Sequence, residues 1–159
     1  MASHKILVLG LGNTILGDDG VGIRVVREMR RLWAGDPSVE LVEASLGGMV
    51  LLDLITGFDK VIVVDAIMAE DRKPAGFVYD LSLDDLGALV VPYASHALDL
   101  KTTIELGRRL GYKMPATVAI HAVKIEENTL FTEELSPTVA AVVPLLAKRI
   151  IQDLDGPHS

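Results

Sequence analysis

A chain of 159 residues, half of them hydrophobic and with a mean hydropathy of +0.38, carries enough apolar mass for the core of one domain. It contains no cysteine, which excludes disulfides, thiolate metal sites and cysteine nucleophiles. Its formal charge of −7 argues against nucleic acid as a partner, because phosphate binding depends on Lys and Arg displacing counterions.

Lys5–Gly10 (KILVLG) is a short apolar run of the kind found in strands buried on both faces. It is too short for the apolar core of an export signal, and no run approaches the roughly 18 residues of a membrane span, so the cytoplasm is the expected compartment. Val21–Ala34 has Val25, Val26, Met29, Leu32 and Trp33 on one stripe and Arg24, Arg27, Arg30 and Arg31 elsewhere, which predicts an amphipathic helix with a solvated basic face. Val39–Ala44 is a second strand and Met49–Ile55 a short apolar helix that stops near Gly57. Lys60–Ala66 (KVIVVDA) is the clearest central strand, and Gly76–Leu81 alternates as an edge strand does.

Ala97–Leu110 places Leu100, Ile104 and Leu110 among polar residues as a third helix, with Gly111 as its C-cap. Thr117–Ile125 is a further strand. Ser136-Pro137 opens the last helix, Ser as N-cap and Pro at its first position, with Val139, Val142, Val143, Leu146 and Ile150 inward. This alternation predicts one α/β domain over residues 1–159: a three-layer sandwich around a mostly parallel twisted sheet of about five strands. Ligands in such sheets bind at the carboxyl ends of the strands, beside the point where strand order reverses. If the first and third strands are neighbours, the loops after Gly10 and Val64 face one crevice.

The loop after the first strand reads Gly10-Leu11-Gly12-Asn13-Thr14-Ile15-Leu16-Gly17-Asp18-Asp19-Gly20-Val21-Gly22. It is not a dinucleotide fingerprint. The third glycine would fall at Ile15, and two carboxylates occupy the helix N-terminus that a pyrophosphate needs. They favour a cation or a donor group instead. Asp is also a preferred N-cap, so Asp18 is assigned to capping and Asp19 kept for chemistry, an assignment the two could exchange. Asn13 suits an Asx-type bond within its own loop.

Asp65 closes an apolar run, where a carboxylate is expensive unless it is paired, ligated or open to a cleft. His96 enters the third helix from the segment Pro92-Tyr93-Ala94-Ser95-His96. Two carboxylates and one imidazole suit a borderline divalent ion such as nickel or zinc. His121, mid-strand, reads as a hydrogen-bonded, half-buried residue. Asp84-Asp85 and Glu126-Glu127 read as solvated turns. Ser45, Ser82, Ser95 and Ser136 lack the glycines of a nucleophile elbow, which disfavours a serine hydrolase.

The glycine-rich loop G-L-G-N-T-I-L-G-D-D-G-V-G, V-D-A at the third strand and S-H-A-L before a helix together resemble the [NiFe]-hydrogenase maturation endopeptidases over nearly the whole chain. The resemblance implies a cytoplasmic, aspartic-type endopeptidase that removes the C-terminal extension of a nickel-loaded hydrogenase large-subunit precursor. Carried over by motif, Asp19, Asp65 and His96 are the residues that bind the nickel, which the precursor supplies. Either a carboxylate activates water or the nickel polarises the scissile carbonyl. Many relatives carry an acidic-Gly-Gly stretch after the second strand. Here it aligns with Glu43-Ala44-Ser45, the glycines coming later as Gly47 and Gly48, and the resemblance implies that this loop contacts the substrate peptide. A nickel-dependent scaffold that binds the precursor without cutting it is the non-enzymatic alternative. A peptidyl-tRNA hydrolase, which also opens with a strand and G-L-G-N, is disfavoured by Thr14 after Asn13 and by the acidic chain.

Overall fold

The computed structural model describes residues 4–45, 49–87, 96–127 and 130–156. The apolar runs become the strands β1 (Ile6–Leu11), β2 (Val39–Ala44), β3 (Lys60–Ile67), β4 (Val78–Leu81) and β5 (Thr117–Lys124). The amphipathic segments become α1 (Val21–Leu32), α2 (Met49–Ile55), α3 (His96–Arg109) and α4 (Pro137–Asp155). The described strands form one sheet in the order β2-β1-β3-β5-β4. All neighbours are parallel except β4, which pairs antiparallel with β5 at the edge.

Strand order reverses at β1, whose neighbours β2 and β3 leave in opposite directions, so the expected switch point exists. The register Ile6↔Lys60 through Gly10↔Val64 makes β1 and β3 direct partners. Side-chain alternation then divides β3 between two cores. Ile62, Val64 and Ala66 pack with Val21, Val25, Val26 and Met29 of α1 and Val139, Leu146 and Ile150 of α4. Val61, Val63 and Ile67 pack with Leu51 and Ile55 of α2 and Leu100 and Ile104 of α3. A sheet covered on both faces needs strands that are apolar throughout, which is why β1 and β3 show no polar alternation.

Three details differ from the sequence reading. α1 stops at Leu32, which is exposed; Trp33 leaves the helix as its C-cap and donates its indole N–H to Asp155 at 3.1 Å. Leu110 lies beyond the end of α3 and is exposed, because the helix has already used Leu100 and Ile104 to reach the sheet. The arginines of α1 are not simply solvated: Arg27 and Arg30 both bind Glu43, Arg31 binds Glu28, and Arg24 donates to the Glu133 carbonyl.

Candidate functional site

Between β1 and α1 the chain turns through residues 12–20, and glycine lets it turn tightly. Gly12 has φ +146°, and a Cβ there would stand 2.1 Å from the Asp19 carbonyl oxygen. Gly22, in the first turn of α1, lies against two strand ends. A Cβ would meet the Val64 carbonyl oxygen at 2.1 Å and that of Leu11 at 2.6 Å. The missing side chains seat the Asp19 loop directly over the carboxyl ends of β1 and β3, beside the peptide unit that leads into Asp65.

Asn13 organises the loop from within. Its Oδ1 accepts the Ile15 N–H at 3.2 Å, the expected Asx turn, and its own N–H donates to Asp19 Oδ2 at 2.9 Å. Asp19 is thus held through one carboxylate oxygen, and it stays half-buried at the crevice.

Asp18 does not cap α1. The N-cap there is Gly20, which offers no side chain. Asp18, 7% exposed, turns instead to the neighbouring α4 and accepts both the N–H and the Oγ–H of Ser136, each at 2.7 Å. Ser136 is the N-cap residue of α4, as expected from Ser-Pro, but its hydroxyl serves Asp18 and makes no bond to its own helix.

Asp65 is not the last residue of its strand. β3 continues to Ile67 alongside β5, in the register Asp65↔Ala122 and Ile67↔Lys124, whereas pairing with β1 ends at Val64. Asp65 therefore sits one step past the end of β1, 2% exposed, with Oδ1 accepting the Ala66 N–H at 2.9 Å. Alternation puts its side chain on the face of Val63 and Ile67, the layer covered by α3.

His96 is the first residue of α3, and its side chain lies outside the described structure. The far end of α3 is anchored at the amino ends of the strands. Arg108 donates to the Pro115 carbonyl at 3.3 Å, and the Ala116 N–H to that of Asp59 at 3.0 Å. A 14-residue helix spans about 21 Å, so its first turn returns to the carboxyl end of the sheet, in the layer that holds Asp65. Among the described residues no three His, Asp or Glu side chains are grouped to hold a metal ion. Gly47 and Gly48 lie outside the described residues. The chain just before them lines a cleft of about 240 Å³ with Asn13, Thr14, Arg27, Glu43, Ala44 and Ser45.

The family model described as "Hydrogenase maturation protease" matches residues 23–153. This chain belongs to the hydrogenase maturation protease family. It is 29% identical to the hydrogenase 2 maturation protease of Escherichia coli over 94% of this chain and 90% of that one. It is 36% identical to the hydrogenase expression/formation protein HupD of Thiocapsa roseopersicina, over 97% of this chain and 76% of the relative. The solved structure of the maturating endopeptidase HybD from Escherichia coli superposes with a TM-score of 0.81 at 27% identity, covering 94% of this chain and 91% of that one. The fold is that of these proteases, and the chain is a peptidase.

In this maturation protease the loop after β3 carries an ion-pair cluster that pattern reading did not find. Lys124, buried on β5, donates its Nζ to Asp71 Oδ1 at 2.6 Å and to the carbonyls of Asp71 and Lys73 at 3.1 and 2.7 Å. The Tyr79 hydroxyl donates to Asp71 Oδ2. Lys124 and Tyr79 hold the Asp71 carboxyl down at about 2, while burial and the bond to Asp71 push Tyr79 up to about 12. A depressed carboxylate stabilises the fold above its unfolded pKa of about 3.9 and loses that contribution as pH falls through its folded value. Thermal melts of wild type and Asp71→Asn should therefore differ most above about pH 4 and converge towards about pH 2. A gap that stays constant across that range would show that Asp71 contributes no charge-dependent stability.

Proposed function

We propose that this peptidase removes the C-terminal extension of a [NiFe]-hydrogenase large-subunit precursor after nickel has been inserted, and that the substrate-bound nickel is what it recognises. The observation that carries this reading is the seating of the Asp19 loop on the Val64 carbonyl, one residue before Asp65, in a chain of the hydrogenase maturation protease family. Asp19, Asp65 and His96 come to the metal as oxygen and nitrogen donors, and the precursor's own thiolates complete the sphere. Without cysteine this chain offers free nickel only the harder half of such a set, so nickel binds well only when the precursor presents it.

The tail peptide would then lie in the cleft beside Glu43, Ala44 and Ser45. The bond to be cut would stand beside the metal, with water as the attacking nucleophile. The cytoplasm is the compartment that this reading assigns to the cleavage. The reaction needs neither a serine nor a cysteine nucleophile.

The experiment is incubation with matched precursors, one loaded with nickel and one nickel-free, followed by intact-mass measurement. Loss of the C-terminal extension is expected only with nickel, and inhibitors of serine and cysteine proteases should leave it unchanged. Efficient cutting of the nickel-free precursor overturns nickel recognition. Binding without any mass change would make the chain a scaffold for the precursor.

A further inference from the structure

The loop that carries Asp19 has few apolar anchors of its own, and Ile15 within it is exposed. Its position is fixed from outside by the strap that leads into α4. The Thr132 N–H donates to the Ile15 carbonyl at 2.9 Å, and the Gly17 N–H donates to the Thr132 carbonyl at 2.8 Å. Arg24, one turn into α1, donates to the carbonyl of Glu133. The final tie is Asp18, which accepts twice from Ser136 and is the only one of these contacts made by a buried charge. Hydrogen bonds to an ionised acceptor are stronger than neutral ones, so this tie outweighs the backbone pairs beside it.

Ser136 is a firm anchor. It precedes Pro137 and begins a 19-residue helix whose Val139, Leu146 and Ile150 are buried against α1 and the sheet. The chain from Asp18 to Asp19 is a single peptide link inside a 3-10 turn, Gly17–Gly20, which leaves little freedom between the two. Asp19 in turn is bonded to Asn13 on the far side of the loop.

We propose that Asp18 is a positioning residue of the site, fixing Asp19 at the crevice by registering the loop against the N-cap of α4. It touches no substrate; it acts through Ser136 on one side and Asp19 on the other. The inference rests on the nickel-docking reading for its catalytic consequence, but not for its structural one.

The test uses the whole chain with Asp18→Asn, Ser136→Ala and Ser136→Thr. The first reading is amide hydrogen exchange at Asn13, whose N–H is held by Asp19, with Val63 and Val64 in β3 as core references. Asp18→Asn removes the charge and leaves a single oxygen for the Ser136 N–H and Oγ–H, and Ser136→Ala removes the hydroxyl donor. Both should speed exchange at Asn13 about tenfold with the β3 amides unchanged, and Ser136→Thr, which keeps the hydroxyl, should restore wild-type protection. Unchanged protection at Asn13 in both variants overturns the proposal whatever the protein cleaves.

The second reading is cleavage of nickel-loaded precursor, corrected for the folded fraction. A fall of about tenfold in kcat/KM is expected for Asp18→Asn and for Ser136→Ala, while Ser136→Thr should cut at the wild-type rate. Loosened Asn13 with wild-type cleavage would reduce Asp18 to a structural tie and overturn its positioning role. If wild type itself cuts no precursor, the nickel-docking reading fails separately, and the exchange data alone decide whether Asp18 places Asp19.

Discussion

Gly22→Ala should lower the melting temperature by roughly 6–12 °C and remove most of the peptidase activity that survives at the assay temperature. The added methyl would stand 2.1 Å from one backbone carbonyl oxygen and 2.6 Å from another, on β3 and β1. Neither is the end of a flexible side chain, so the helix must move. Overpacking costs about 1–3 kcal/mol when neighbours can yield, and a clash with two strand backbones belongs at or beyond the upper end. For a domain of this size about 3 kcal/mol corresponds to the stated shift. Displacing α1 also lifts the loop in front of it away from Asp65, so activity should fall further than the loss of folded protein explains. Gly35→Ala is the control. It has φ +92° but nothing within 4 Å, so it should incur only the backbone penalty of about 1–2 kcal/mol and leave the activity of the folded protein intact. Equal effects at the two positions, measured by calorimetry and by cleavage per folded molecule, would remove the argument from close approach.

The strands and helices were legible because a sheet covered on both faces demands long apolar runs, and Lys60–Ile67 and Ile6–Leu11 supply them. The β1–β3 pairing followed from topology, since ligand crevices in such sheets lie where strand order reverses. Leu32 and Leu110 were misplaced for one reason. A helical stripe extrapolated to the last turn ignores that the chain must leave the sheet there, and the terminal apolar residue then points to water.

What the pattern could not show is pairing across long separations. Asp18 and Ser136 are 118 residues apart, and Lys124 and Asp71 are 53 apart. Local chemistry gave each a sufficient local role: an aspartate before a helix reads as its cap, and Ser-Pro reads as a cap for the next helix. The aspartate reading named the right kind of bond, an acceptor meeting donors at a helix end, but joined it to the wrong helix; Ser136 does stand at the N-cap of α4, with its hydroxyl given to Asp18. Gly22 belongs to the same class. Its value lies in a strand carbonyl brought near only by the folded sheet, and a single glycine after Asp-Asp-Gly-Val does not announce that contact.

Asp65→Asn should abolish cleavage of nickel-loaded precursor per folded molecule, by at least about a hundredfold or about 2.7 kcal/mol. A carboxylate 2% exposed beside Val63 and Ile67 gives up much of its hydration, and that desolvation opposes folding unless its partners offset it. The amide has nearly the same shape and can still accept the Ala66 N–H through its oxygen, so packing survives the exchange. What it cannot supply is an anionic oxygen donor for a divalent cation. Asp71→Asn gives the contrasting case. There the charge is held by Lys124 and Tyr79, so its removal should lower the melting temperature near neutral pH and spare the chemistry. If Asp65→Asn instead melts early and cuts precursor at the wild-type rate per folded molecule, Asp65 is a structural carboxylate like Asp71. The metal would then have to be met by Asp19 and His96 alone.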